Sequence, residues 1–327
     1  MKQNGTEPPE VSVIIPVYRV AAYIADALDS VLTQASEDVE IIVINDGSPD
    51  TDALERVLEA YRDRILYLKQ ENGGVSSARN TGIRAARGGW LAFLDGDDMW
   101  LPEYLESQLA ILRADPAIDM VFGNAILFGD TPIAGRCTTD FSPVEGEITF
   151  LKTVSGDCTI AYCAVVRREI VVRAGMFDTQ LRGSEDFNLW LRVLKAGGRI
   201  TYQHKPLYRY RRREGSATSD PVWMNERILE SLQRAQETIP MSGEERAGLE
   251  RHRRKVQTEL ALAQAKAAFG NQDWDDAISH YVEAHRLAPN RKIQAILLLL
   301  RLCPHFTYAV YNWRQKRLSG RAAARAY

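Results

Sequence analysis

The chain has 327 residues, room for one large domain plus a smaller one, and 45% of them are hydrophobic, enough for a sizeable core. Its formal net charge of -2 gives no global attraction to nucleic acid. Cys137, Cys158, Cys163 and Cys303 lack the close spacing of a structural zinc site or a disulfide framework, which fits a reducing, cytoplasmic setting.

Residues 1–10 form a polar tail without the apolar run of a signal peptide. Val11–Val17 (VSVIIPV) is a continuous apolar, β-branched run, the pattern of a strand buried on both faces. Ile24, Leu28 and Leu32 then recur at helical spacing. Residues 40–44 (EIIVI) are a second buried strand, ended by Asn45-Asp46-Gly47-Ser48. Asp50 or Thr51 is expected to cap the following helix, through Tyr61. Residues 65–69 are a third strand, residues 76–87 a helix stopped by Gly88-Gly89, and residues 90–94 (WLAFL) a fourth strand, ended by Asp95-Gly96-Asp97-Asp98. This alternation predicts a parallel α/β sheet, and ligands of such sheets bind beyond the carboxyl ends of the strands, where both acidic clusters fall.

The later pattern predicts a strand over 120–128, a loop or hairpin region over 129–146, a strand over 160–166 and a short helix over 168–174. An amphipathic helix over 186–196 follows, with two late strands over 199–203 and 207–211. From residue 220 the chain reads as helical. Within it, Ala265, Phe269-Gly270, Trp274, Ala277, Tyr281, Ala284, Leu287 and Pro289 have the spacing of one tetratricopeptide-like helix pair, over about 257–290. From Arg291 onward there are eight basic residues and no acidic one. No stretch reaches the ~20 apolar residues of a membrane span. Residues 293–318 read either as a basic amphipathic interfacial helix or as a helical cap on the preceding domain, with Pro304 splitting the stretch in two.

Five segments carry chemistry. Asp95-Gly96-Asp97-Asp98 crowds three carboxylates after a buried strand, a repulsion that Mg²⁺ or Mn²⁺ would offset, although Asp and Gly are also ordinary turn residues. Asp46 at a strand end suits hydrogen bonds from a base or ribose, and Asn45-Asp46-Gly47-Ser48 equally suits a simple strand-to-helix turn. Gly73-Gly74-Val75-Ser76-Ser77-Ala78-Arg79 opens a loop into a helix and matches neither the dinucleotide fingerprint nor a P-loop. Glu185-Asp186 begins a helix, as a general base or as a complement to its macrodipole. Tyr208-Arg209-Tyr210-Arg211-Arg212-Arg213 is a dense basic strand suited to a diphosphate, or a guarded sheet edge.

Taken in order, Pro16-Val17-Tyr18, Asn45-Asp46-Gly47-Ser48, Gly74-Val75-Ser76-Ser77-Ala78-Arg79-Asn80-Thr81-Gly82, Asp95-Gly96-Asp97-Asp98, Glu185-Asp186 and the Tyr-Arg strand resemble glycosyltransferase family two, over about residues 11–218. The resemblance implies a GT-A nucleotide-sugar-binding fold, a Rossmann-like mixed sheet flanked by helices, over 11–219. A helical C-terminal region would fill 220–327. It implies inverting transfer from a nucleotide diphosphate sugar, UDP by preference, to a glycan, lipid-linked or protein acceptor, in cell-surface polysaccharide or glycoconjugate biosynthesis. Pro16, Val17, Tyr18 and Asp46 would line the nucleoside pocket. Arg79 would lie near the uracil or the phosphates, and Asp95 at the ribose. Asp97, with Asp98 close by, would hold Mn²⁺ or Mg²⁺. Arg211 and Arg213 would face the diphosphate, and Asp186, with Glu185 beside it, would be the base. Many relatives carry a histidine where this chain has Arg213, and an arginine cannot ligate a cation, so Asp97 and the nucleotide phosphates would carry the metal. The enzyme would sit in the cytoplasm, peripheral on the inner membrane face through its basic tail. Three rival readings are a non-catalytic nucleotide-sugar-binding scaffold acting through its helices, a nucleotidyltransferase, and a nicotinamide dehydrogenase. The second lacks a Gly-rich basic loop after the first strand, and the third lacks the glycine fingerprint.

Overall fold

A computed structural model of the chain describes residues 8–36, 38–213, 216 and 219–310. Eight strands form one sheet in the order β3-β2-β1-β4-β7-β6-β8-β5. Its first half is built as the apolar runs predict. β1 (Val11–Val17) lies wholly buried between β2 (Val39–Asp46) and β4 (Trp90–Phe93), parallel to both, and β3 (Leu66–Gln70) forms the edge beside β2. Alternate residues of β1 face opposite layers, as the period of two requires. Val11, Val13, Ile15 and Val17 pack with α1 (Ile24–Leu32) and α2 (Thr51–Leu58), while Ile14 packs with α3 (Val75–Ala85).

The sheet is mixed, not all-parallel. β5 (Met99–Trp100) follows β4. After α4 (Tyr104–Ala114) comes β6 (Met120–Gly129), then α5 (Phe150–Val154) and β7 (Ala164–Arg167). β7 runs antiparallel to both β4 and β6. α6 (Arg168–Arg173) and α7 (Glu185–Lys195) lead to β8 (Ile200–Arg212), which runs parallel to β6 and antiparallel to β5. The two expected late strands are therefore one. The register shifts opposite Gly123 and Asn124, and Asn124 Nδ2 donates to His204 O there at 3.3 Å, so the irregularity is absorbed without ending the strand. The strand expected over 160–166 starts only at Ala164, because Tyr162 turns its hydroxyl to Asp98.

Four helices follow: α8 (Pro221–Thr238), α9 (Gly243–Gly270), α10 (Trp274–Leu287) and α11 (Arg291–Leu302). Each begins with a side-chain cap, from Asp220, Ser242, Asp273 and Asn290 respectively. Leu232, Ala235, Leu249 and Val256 of α8 and α9 share a core with Phe150 and Val154 of α5 and Leu191 of α7. The helical region is thus packed onto the sheet layer. The tetratricopeptide-like pair corresponds to the end of α9 and α10, with Ala265, Phe269, Ala277, Tyr281 and Ala284 buried between them; α9 itself reaches back to Gly243. The helix is interrupted at Cys303, one residue before Pro304, and residues 304–310 are helical again. The basic residues from Arg314 onward lie outside the described residues. Among the described residues, no helix is long and apolar enough to cross a membrane.

Candidate active site

A cleft of about 670 Å³ opens beyond the carboxyl ends of β1, β2 and β4. Pro16, Val17, Tyr18, Asp46, Arg79, Asp95, Asp97, Glu185, Asp186, Arg211 and Arg213 all line it, so eleven of the twelve residues expected at the site converge there. Asp98 does not. It is fully buried, its Oδ1 accepting from Arg211 N at 2.7 Å and its Oδ2 from the Tyr162 hydroxyl. Burial and the neighbouring Asp95 and Asp97 hold its carboxyl well above the usual range, so it is a protonatable fastener between β4 and β8, not a cleft-facing metal ligand.

Asp46 ends β2, and its Oδ1 accepts from Gln70 Nε2 at 2.7 Å and Gly73 N at 2.9 Å. The turn behind it needs glycine: Gly47 has φ +60°, and a Cβ there would sit 2.7 Å from Asn72 N. Asn45 is a turn fastener, donating to Thr51 Oγ1 and Tyr67 OH and accepting from Ser48 N. Asp50 does not cap α2 with its side chain; its carboxylate accepts from Ala21 N at 3.0 Å and from Ser48 Oγ instead, tying the two turns that frame the cleft.

Arg79 is only 2% exposed and sits at the centre of the site. It donates to Glu185 Oε1 at 2.6 Å and to Asp95 Oδ1 at 2.8 Å, with Tyr162 and Phe177 rings at 5.4 and 5.2 Å from its guanidinium. Both ion pairs are charge-assisted hydrogen bonds in a water-poor setting. Burial raises the Asp95 carboxyl against the pull of Arg79.

Asp186 is the second residue of α7, two after the N-cap Ser184, whose φ of +55° is a left-handed conformation rare outside glycine. Its Oδ1 accepts from Phe187 N at 2.8 Å, and its carboxyl is pushed up to about 7 by burial first and by the adjacent Glu185 second. A carboxylate poised near neutrality in a cleft is suited to proton transfer.

Opposite lies the basic strand. Arg211 is stacked between Tyr23 and Phe128 at 4.6 and 4.4 Å, pairs with Asp26 at 3.0 Å and donates to Asp97 O at 2.7 Å. Arg213 Nε donates to Asp97 Oδ2 at 2.8 Å. Among the described residues, no group of three or more His, Cys, Asp or Glu side chains converges to hold a metal ion. One cleft-facing carboxylate, Asp97, still fits a hard cation that draws its other ligands from phosphates and water.

Sequence reasoning missed Tyr162, Arg182, Trp223 and Met224, all in the cleft wall. Trp223 and Met224 come from α8, and nothing in their local pattern marks them; only the docking of α8 brings them in. A second hollow, of about 730 Å³, is lined by charged residues of α2 and its C-terminal turn together with Leu58, Ile65 and Tyr67, away from the motif residues.

The model of the family described as glycosyl transferase family 2 matches residues 12–173. An uncharacterized glycosyltransferase of Rickettsia typhi is 32% identical over 226 residues, covering 67% of this chain and 69% of the relative. The chain belongs to glycosyl transferase family 2. Three of the other rickettsial relatives are longer, and the match spans only 32%, 28% and 31% of their length. The fold is also that of solved GT-A structures. Residues 1–349 of S. aureus TarS in complex with UDP-GlcNAc align with a TM-score of 0.58 and 19% identity, over 94% of this chain and 92% of that one. The mannosyltransferase PcManGT from Pyrobaculum calidifontis, in complex with GDP-Man and Mn²⁺, aligns with a TM-score of 0.60 and 20% identity, over 95% and 89%.

Proposed function

We propose that this glycosyltransferase moves a sugar from a UDP-sugar to an acceptor hydroxyl with inversion, in the assembly of a cell-surface polysaccharide or glycoconjugate. The observation that carries the reading is Asp186, a carboxylate held near neutrality in the same cleft as Asp46, Asp95, Asp97 and the arginines of β8. The UDP-GlcNAc bound by the TarS fragment supports the choice of donor class.

Asp46, with Pro16, Val17 and Tyr18, holds the nucleoside, and Asp95 takes the ribose. Arg211 and Arg213 face the diphosphate. Asp97 would hold Mn²⁺ or Mg²⁺, which when bound neutralises charge on the diphosphate. Asp186 accepts the proton of the acceptor hydroxyl as that oxygen bonds to the anomeric carbon. The bond from that carbon to the diphosphate oxygen breaks on the opposite face, and the electron pair leaves with the diphosphate. Glu185 is committed to Arg79, so its part is to hold Asp186 in place.

We assign catalysis to residues 11–219 and a supporting role to the helices of 220–327. The active enzyme is placed in the cytoplasm, with the basic tail on the inner face of the membrane, near a lipid-linked acceptor. The test of the chemistry is Asp186→Asn with a UDP-sugar panel. Loss of transfer with UDP binding kept supports the role; full activity in the variant, or a product with retained anomeric configuration, overturns it.

A further inference from the structure

Trp223 belongs to α8, outside the segment matched by the family model, yet it lines the cleft beside Gly183, Ser184 and Asp186. Its placement is over-determined. Asp220 Oδ1 accepts from Trp223 N at 3.2 Å and from Val222 N at 2.9 Å, fixing the first turn of α8. Ser231 Oγ donates to Ser184 O at 2.9 Å, pinning α8 to the residue two before the base. Arg227 lies 5.6 Å from the centre of the Trp223 ring and is itself held by Glu230 at 2.8 Å. Gly183 leaves the space the indole occupies: a Cβ there would fall 3.0 Å from Trp223 Cη2 and 2.9 Å from Arg227 Cγ.

The result is an amphipathic ring braced on one side by a guanidinium and set against the helix that carries the proposed base. Aromatic faces of this kind bind the C–H faces of pyranose rings, while hydroxyls on the ring edge remain free to react. We propose that Trp223 is the platform of the acceptor subsite and that the acceptor group is a pyranose, with its attacking hydroxyl directed to Asp186. This rests on the reading of Asp186 as the base for its chemistry, but not for its binding. Specificity then comes from the helical region, since α8 brings the aromatic wall to a cleft that the sheet leaves open.

The test uses the full chain, a UDP-sugar donor, and methyl pyranosides or a threonine-containing peptide as acceptors. A methyl pyranoside is expected to serve as acceptor. Trp223→Ala should raise its KM about tenfold while the donor KM stays near its wild-type value, and Trp223→Phe should restore most of the loss. Gly183→Ala, which displaces the indole, should act in the same direction. Saturation-transfer NMR of the methyl pyranosides, which needs no turnover, should give a signal with the wild-type chain that disappears with Trp223→Ala. That disappearance in a chain without transferase activity would uphold the subsite and sink the transfer reading. An unchanged acceptor KM, an equal rise in donor KM, or use of the peptide in place of the pyranosides would overturn the proposal.

Discussion

Arg79 Nη1 donates to Glu185 Oε1 at 2.6 Å across 106 residues of sequence, while its Nη2 donates to Asp95 at 2.8 Å. One buried cation therefore holds the loop after β4 and the start of α7 at a fixed separation, and the two halves of the cleft with them. Removing only the cation leaves the buried Glu185 and the part-buried Asp95 without their shared partner. Arg79→Met should cost about 3–5 kcal/mol in urea denaturation, and the double variant Arg79→Met with Glu185→Gln should cost less than the sum of the singles. Strict additivity would show that the pair does not brace the fold.

The Asp186 carboxyl, raised to about 7, gives a pH profile with a definite sign. A base works only when ionised, so kcat/KM should rise with pH and level off above about 7. Stability runs the other way. Between the ordinary carboxylate range and about 7 the folded state holds a proton that the unfolded state has lost, so this group makes stability fall as pH rises through that window. Asp186→Asn should abolish the activity limb and melt higher than wild type at pH 8. The expected loss in kcat is about 10²–10⁴-fold.

Gly82 marks where α3 rests on the sheet. A Cβ there would meet Ile14 Cγ2 at 2.6 Å and Ile44 Cδ1 at 2.9 Å. Gly82→Ala should destabilise by about 1–3 kcal/mol through overpacking. Gly89→Ala, where nothing lies within 4 Å, is the control and should stay within about 0.5 kcal/mol.

Arg213 occupies the carboxylate that a cation would need. Arg213→Gln should lower the Mn²⁺ concentration at which UDP stabilises the protein and weaken UDP binding without metal, since one phosphate-facing charge is gone. Calorimetry at fixed UDP across a Mn²⁺ series reads both, and a higher Mn²⁺ requirement in the variant would contradict the competition.

The parallel core is legible because β1, β2 and β4 are buried on both faces, so their runs are uninterrupted. α4 escapes the sequence pattern, although Leu105, Leu109 and Leu112 follow helical spacing, because the acidic loop just before it points to a turn. Asp97 and Asp98 look alike in sequence. Only the pairing of β5 with β8 decides that one faces the cleft while the other is sealed beneath Tyr162. Arg79 is expected near the nucleotide, and it does line the cleft, but its partners lie 16 and 106 residues away, beyond any local pattern. Trp223 belongs to the same class of long-range placement.

The central claim is that the cleft takes a nucleotide diphosphate with a cation on Asp97. Thermal stability should be measured with UDP, GDP, dTDP and their nucleosides, with and without Mn²⁺, for wild type and Asp97→Ala. Metal-dependent stabilisation by one diphosphate, about 2.7 kcal/mol at 100 times its Kd, is predicted for wild type and should be absent in the variant. No stabilisation by any diphosphate, or an equal effect in Asp97→Ala, would contradict it.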